Sequence, residues 1–102
     1  MIHPSIQAIL PQITQLLRFY KIESAALFGS VLSDSFNDGS DIDLIVNLQK
    51  GQDPLEAGEN LWNLTFELED LTNRKVDILT ERSLRNPIFI AEIHKTKYPI
   101  YG

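Results

Sequence analysis

The chain of 102 residues contains no cysteine, which excludes disulfides, zinc–thiolate sites and thiol nucleophiles. No apolar stretch approaches the roughly 18 residues that a membrane-spanning helix needs. The first four residues, Met1-Ile2-His3-Pro4, lack the basic-then-apolar layout of a secretion signal. We therefore expect a cytoplasmic protein without a membrane partner.

Basic residues are scarce as well, with nine Lys and Arg against 14 Asp and Glu and a net charge of −5. Surfaces that bind nucleic acid broadly are basic, so a nucleic-acid partner is not expected. No Lys or Arg occurs between Lys21 and Lys50. A nucleotide bound near this stretch would have to be held through a metal ion and backbone amides.

The remaining composition, 43% hydrophobic and 23% charged, is typical of an ordinary globular domain. Apolar spacing predicts helices over residues 4–19, 53–73 and from 86 onwards, with Pro11 beginning the main part of the first. Short apolar runs predict strands over 24–28, 41–47 and 76–79, and an edge strand near 98–101. This order predicts a single α/β domain over residues 1–102, in which a small mixed sheet of three or four strands is packed with helices.

The second helix carries a strong start signal and a clear apolar stripe. Asp53 is predicted to cap it, Pro54 to occupy its first position and Glu56 to complete a capping box. Asn73 is a plausible left-handed stop. The predicted core stripe comprises Leu61, Leu64, Leu68 and Leu71, widened by Leu55, Trp62 and Phe66. In the last helix the predicted inward residues are Ile88, Phe89, Ile90 and Ile93.

Two carboxylates open the second predicted strand, at Asp41 and Asp43. Residues i and i+2 of a strand point to one face, about 6.6 Å apart at Cα. Carboxylates about 4 Å apart repel by roughly 1 kcal/mol in water and about 4 kcal/mol at an effective dielectric of 20. Such a pair on an apolar strand favours a hard divalent cation such as Mg²⁺, although a solvated strand end is the simpler alternative.

A Gly-Ser pair and a third acid complete the pattern. Gly29-Ser30 ends the first strand, ten residues separate Ser30 from Asp41, and Asp77 interrupts the third strand. If the three strands are neighbours, the acids converge on one face beside a turn whose amides and Ser30 hydroxyl can bind a phosphate oxygen. One or two metal ions there would support nucleotidyl transfer at phosphorus. Taken alone, Gly29 could be only a turn glycine, and an isolated Ser such as Ser30 is more often a helix cap.

At these residues the chain resembles the minimal nucleotidyltransferases of the DNA polymerase beta-like nucleotidyltransferase superfamily. Their signature is Gly-Ser, ten residues and Asp-x-Asp, with a later strand Asp, here Asp77. The resemblance implies that Asp41, Asp43 and Asp77 bind Mg²⁺ and that Gly29 and Ser30 bind the phosphates of ATP. It further implies an antitoxin that forms a hetero-oligomer with a HEPN-type toxin and transfers AMP to a tyrosine of that partner.

The sequence departs from this family after the Gly-Ser pair. The family often has a basic residue followed by Ala-Arg-Gly there, whereas this chain has Val31-Leu32-Ser33-Asp34. The change removes positive charge where a triphosphate would lie. A second hypothesis therefore stands beside the first, in which the chain is a binding module that neutralises its partner by masking it. Nucleotidylation of an antibiotic is less favoured, because so short a chain leaves little room for a separate small-molecule pocket.

Overall fold

A computed structural model describes residues 2–37 and 39–102, and the elements below are those of the described residues. Asp38, which the sequence places in a solvated loop, lies outside them. The helices are α1 (Pro4–Gln7), α2 (Leu10–Phe19), α3 (Pro54–Thr72) and α4 (Pro87–Thr96). The strands are β1 (Ile22–Phe28), β2 (Ile42–Leu48), β3 (Val76–Thr80) and β4 (Tyr98–Tyr101). Short 3-10 turns follow β1 and β3, at Gly29–Leu32 and Glu81–Ser83.

The four strands form one mixed sheet in the order β3-β2-β1-β4, which confirms the predicted α/β class. β1 pairs antiparallel with both β2 and β4. β2 and β3 are parallel, because α3 carries the chain back between them, as parallel neighbours require. This order makes the three strands that bear the Gly-Ser pair and the acids immediate neighbours.

The two faces of the sheet are covered by different helices. Alternate residues of β2 point to opposite faces, so Ile42, Leu44 and Val46 pack with α2 and α3 in the larger core. Ile45 points the other way and packs with Ala26, Phe28 and Ile93 of α4 in a smaller core. Asp43 lies two residues before Ile45 on the same strand, so its side chain points to the same face of the sheet, the one covered by α4.

Most helix boundaries agree with the expected capping residues. The Asp53 carboxylate accepts a hydrogen bond from the Leu55 amide at 3.3 Å, and Asn86 caps α4 in the same way. Asn73 ends α3 in the left-handed region, with φ of 56°. Two details were wrong. The main helix was predicted to begin at Pro11, but α2 begins one residue earlier, at Leu10. Glu56 was predicted to complete a capping box, but its carboxylate forms an ion pair with Lys21 at 2.6 Å.

The predicted core was too wide on two helices. Leu64 and Leu68 are buried as expected, but Leu55, Trp62 and Phe66 lie on the outer side of α3, exposed by 74%, 67% and 54%. Ile88 of α4, predicted to point inward, is 82% exposed, whereas Ile93 is buried. The reason is geometric: a helix that lies on a sheet buries only one side, so apolar residues around the rest of its circumference remain on the surface.

Candidate active site

Two of the three predicted acids are direct neighbours in the sheet. Asp43 of β2 pairs in register with Asp77 of the parallel strand β3, and on its other side Asp43 is opposite Phe28. Asp41 lies one residue before β2 and is exposed. The strand order therefore gathers at one end of the sheet acids that are separated by up to 36 positions (77 − 41) along the chain.

Gly29 of the Gly-Ser pair lies against one of these carboxylates, that of Asp43. Gly29 has a φ of +78°, and an ideal Cβ on it would come within 2.8 Å of the Asp43 Oδ2. A side chain at this position would have to displace the Asp43 carboxylate, and the left-handed backbone itself favours glycine. Gly29 and Ser30 begin the 3-10 turn and are exposed, while Val31 in the same turn is buried and anchors it.

The electrostatics of Asp43 reflect this crowding. Its partial burial, followed by the negative charges of Asp77 and Asp41, raises the pKa of the Asp43 carboxyl above its ordinary value. Each of these causes disfavours the ionised carboxylate. A bound cation would relieve all three, because it compensates for lost hydration and screens the neighbouring charges.

The donor set suits a hard divalent ion, since carboxylate oxygens are the ligands that Mg²⁺ takes. Among residues 2–37 and 39–102, however, no group of three or more acidic or histidine side chains is placed to hold a metal ion as it stands. The chemistry of the residues thus fits magnesium, while the carboxylates are not drawn together as a closed ligand cage.

Arg74, two residues before β3, contacts the loop that precedes Asp41. Its Nη1 donates hydrogen bonds to the carbonyls of Asn37 and Ser40, at 2.5 and 2.9 Å, and its guanidinium lies 4.2 Å from the centre of the Phe36 ring. Ser40 directly precedes Asp41. Arg74 therefore fixes the loop that leads into the acidic pair.

A cleft of about 650 Å³ adjoins the Gly-Ser turn. It is mainly apolar and is lined by Phe28, Gly29, Leu32, Ser33, Phe89, Glu92, Ile93, Thr96 and Tyr98. This cleft was not predicted from the sequence, which indicated a core position for Phe89 and an edge strand for Tyr98. Only the pairing of Leu27 with Tyr98 brings β4 to the turn, and no local pattern predicts that pairing.

The mixed sheet, with a Gly-Ser turn beside paired strand acids, defines a domain of the nucleotidyltransferase class. A family model agrees over most of the chain: the model described as "Polymerase beta, Nucleotidyltransferase" matches residues 11–102. The chain belongs to this family.

The chain is similar to a curated protein of Methanocaldococcus jannaschii named "Putative protein adenylyltransferase MJ1379", with 37% identity over 68 residues. That match covers 67% of this chain and 66% of the relative. Among solved structures, the chain resembles one described as a minimal nucleotidyltransferase, at 26% identity and a TM-score of 0.77, with 97% and 96% of the two chains covered. It also shares its fold with a chain of a complex between a tri-AMPylated HEPN toxin of Shewanella oneidensis and an MNT antitoxin, at 23% identity and a TM-score of 0.66. That superposition covers 94% of this chain and 71% of the other.

Proposed function

We propose that the chain is a magnesium-dependent nucleotidyltransferase that transfers AMP from ATP to a tyrosine hydroxyl of a HEPN-type partner protein, and so acts as its antitoxin. The observation that carries the proposal is the pairing of Asp43 with Asp77 beside Gly29, where a Cβ would meet the Asp43 carboxylate. Membership of the nucleotidyltransferase family supports the reaction type. The adenylyltransferase name of the archaeal relative and the AMPylated toxin of the structural neighbour support the nucleotide and the partner.

In this proposal Asp41, Asp43 and Asp77 hold magnesium, and Gly29 and Ser30 hold the phosphates. Magnesium would neutralise the developing charge on the phosphates and lower the pKa of the acceptor hydroxyl. The tyrosine oxygen attacks the α-phosphorus, a new P–O bond forms, and the bond to the β-phosphate oxygen breaks, so that pyrophosphate leaves. A carboxylate of the trio accepts the hydroxyl proton. The chain contributes mainly by positioning and charge stabilisation, as is usual in phosphoryl transfer.

A direct test is to incubate the chain, Mg²⁺ and the HEPN-type partner with ATP labelled at either the α- or the γ-phosphate. We expect α-label on the partner and none from γ-labelled ATP. Changing the acceptor tyrosine of the partner to phenylalanine should remove the signal. Asp43→Asn should abolish labelling, whereas Asp70→Asn, an equivalent change at an exposed site on α3, should not. Transfer of γ-label, or full activity of Asp43→Asn, would contradict the proposal.

A second candidate function follows from the missing positive charge after the Gly-Ser pair. Val31 is buried at 1% exposure, and Arg74, which could have compensated for the missing arginine, is bound to loop carbonyls. A chain that binds ATP poorly could still neutralise its partner by covering it. If the chain acts only by covering its partner, Asp43→Asn should still neutralise that partner. If the chain acts by transferring AMP, Asp43→Asn should no longer neutralise it.

A further inference from the structure

The outer side of α3 has an apolar surface that its own domain does not use. It comprises Leu55, Gly58, Glu59, Trp62 and Phe66, which share one side of the helix at i, i+3, i+4, i+7 and i+11. All five are exposed, and Trp62 and Phe66 stack edge to face with ring centroids 5.2 Å apart. We call these five residues the outer α3 face. Three large apolar side chains in one row are typical of a surface that binds an amphipathic helix.

Gly58 in the middle of this face is a second indication of a partner. Glycine inside a helix costs about 1 kcal/mol relative to alanine. An ideal Cβ on Gly58 would meet nothing within 4 Å, so the packing of this domain does not require a glycine there. A helix that crosses α3 closely would require one, because a missing Cβ lets two backbones approach. The residues around it, including Leu55, Glu59 and Trp62, line a shallow groove of about 480 Å³.

The charge of α3 indicates what kind of partner fits. Glu59 is the charged residue of the outer α3 face, whereas Glu56, Glu67 and Glu69 of the same helix contact Lys21, Tyr20 and the Val76 amide. A second copy of this chain docked symmetrically would bring the two Glu59 carboxylates together, with no Lys or Arg in α3 to compensate, and like charges at close range oppose association. A basic partner gains instead, since its Lys or Arg would face Glu59 beside the apolar row.

We propose that the outer α3 face is the docking surface for a partner helix with an apolar row flanked by Lys and Arg. This inference rests on the proposed function for the existence of a protein partner. α3 packs on the sheet face opposite to the one that carries Asp43, because its buried residues belong to the core with Leu44 and Val46. Docking and transfer therefore use separate surfaces and can be removed separately.

The chain supplies its own reporter, since Trp62 is its single tryptophan. The probe is a synthetic helical peptide with a leucine row flanked by lysines, and the control peptide has glutamate in place of every lysine. We expect the lysine peptide to shift Trp62 emission to the blue in a saturable, salt-sensitive way, and the glutamate peptide to have no effect. Phe66→Ala and Glu59→Lys should each weaken binding about tenfold or more. Phe19→Ala removes an even more exposed aromatic on α2, and this variant should bind the peptide as the wild type does.

Three results would overturn the inference. These are equal responses to both peptides, unchanged binding by Phe66→Ala, or an emission shift that follows the concentration of the chain alone, which would indicate a second copy on the face. Co-purification with the HEPN-type partner distinguishes the docking surface from the proposed transfer reaction. Phe66→Ala should fail to co-purify with that partner, while Asp43→Asn should still co-purify and fail only to transfer AMP. A complex that forms through the outer α3 face without any transfer would overturn the proposed function alone.

Discussion

Among single residues, Gly29 is predicted to matter in two ways, through its left-handed backbone and through its contact with the Asp43 carboxylate. Gly51 shares only the backbone conformation, so comparing the two glycines separates these effects. Gly29→Ala should lose about 1–2 kcal/mol of unfolding free energy from its left-handed backbone, measured by urea denaturation. It should also lose nucleotide affinity, because the new Cβ would displace the Asp43 carboxylate 2.8 Å away. Gly51 also has a positive φ, of +85°, but nothing lies within 4 Å of its Cβ position. Gly51→Ala should therefore lose similar stability and keep nucleotide binding; equal binding by both variants would contradict the assigned contact.

The pKa of Asp43 predicts a stability effect with a definite sign. Because this pKa is raised in the folded state, the native protein binds the proton more tightly than the unfolded chain does, and stability falls as pH rises through the folded pKa. Asp43→Asn removes the ionised form, so it should be more stable than the wild type at pH 7, by about 0.2–1 kcal/mol for partly exposed charges. The difference should vanish below the ordinary aspartate pKa. Thermal unfolding across pH measures it, and a variant less stable than the wild type at pH 7 without metal would contradict the crowding of these acids.

At the scale of elements, Arg74 connects the start of β3 to the loop before β2. Arg74→Ala should lose about 1.5–3 kcal/mol, the range for hydrogen bonds to a charged group, and speed amide exchange at Ser40 and Asp41. Arg74→Lys keeps the charge but lacks the planar guanidinium that lies over the Phe36 ring, so it should restore only part of the stability. Full rescue by lysine would mean that charge alone holds the loop.

The two sides of α3 give the sharpest contrast in packing. Leu64 is fully buried, so Leu64→Ala should cost about 2–5 kcal/mol in chemical denaturation. Trp62→Ala removes far more side-chain volume than Leu64→Ala does. Because Trp62 is 67% exposed, this substitution should change the free energy of unfolding by no more than about 0.5 kcal/mol. A large loss in Trp62→Ala would show that the outer side of α3 stabilises this domain and does not await a partner.

This contrast also shows where sequence reasoning was limited. Local signals were sufficient for the caps at Asp53 and Asn86, the stop at Asn73 and the existence of each strand, because those depend on neighbouring residues alone. Periodicity placed Leu64 and Leu68 in the core and also Trp62, because an apolar side chain that faces a partner has the same spacing as one that faces the core. The Arg74 contact and the cleft beside Gly29 depend on non-local pairing, which no local pattern reports.

At the scale of the whole molecule, the order β3-β2-β1-β4 assembles the candidate site from distant segments. The Gly-Ser spacing and the later acid were visible in the sequence, but their meeting depends on β2 being the neighbour of both β1 and β3. The same architecture places the Asp43 carboxylate and the outer α3 face on opposite sides of the sheet. No helix among the described residues is long and apolar enough to cross a membrane.

In the proposed function, the acidic trio and a divalent cation together hold a nucleoside triphosphate. Calorimetric titration of a non-hydrolysable ATP analogue into the chain tests it most directly, with Mg²⁺ or with a chelator, for the wild type, Asp43→Asn and Asp70→Asn. We expect binding only with Mg²⁺, a loss of affinity of about tenfold or more in Asp43→Asn, and wild-type affinity in Asp70→Asn. Equal affinity with the chelator, or in Asp43→Asn, would contradict it.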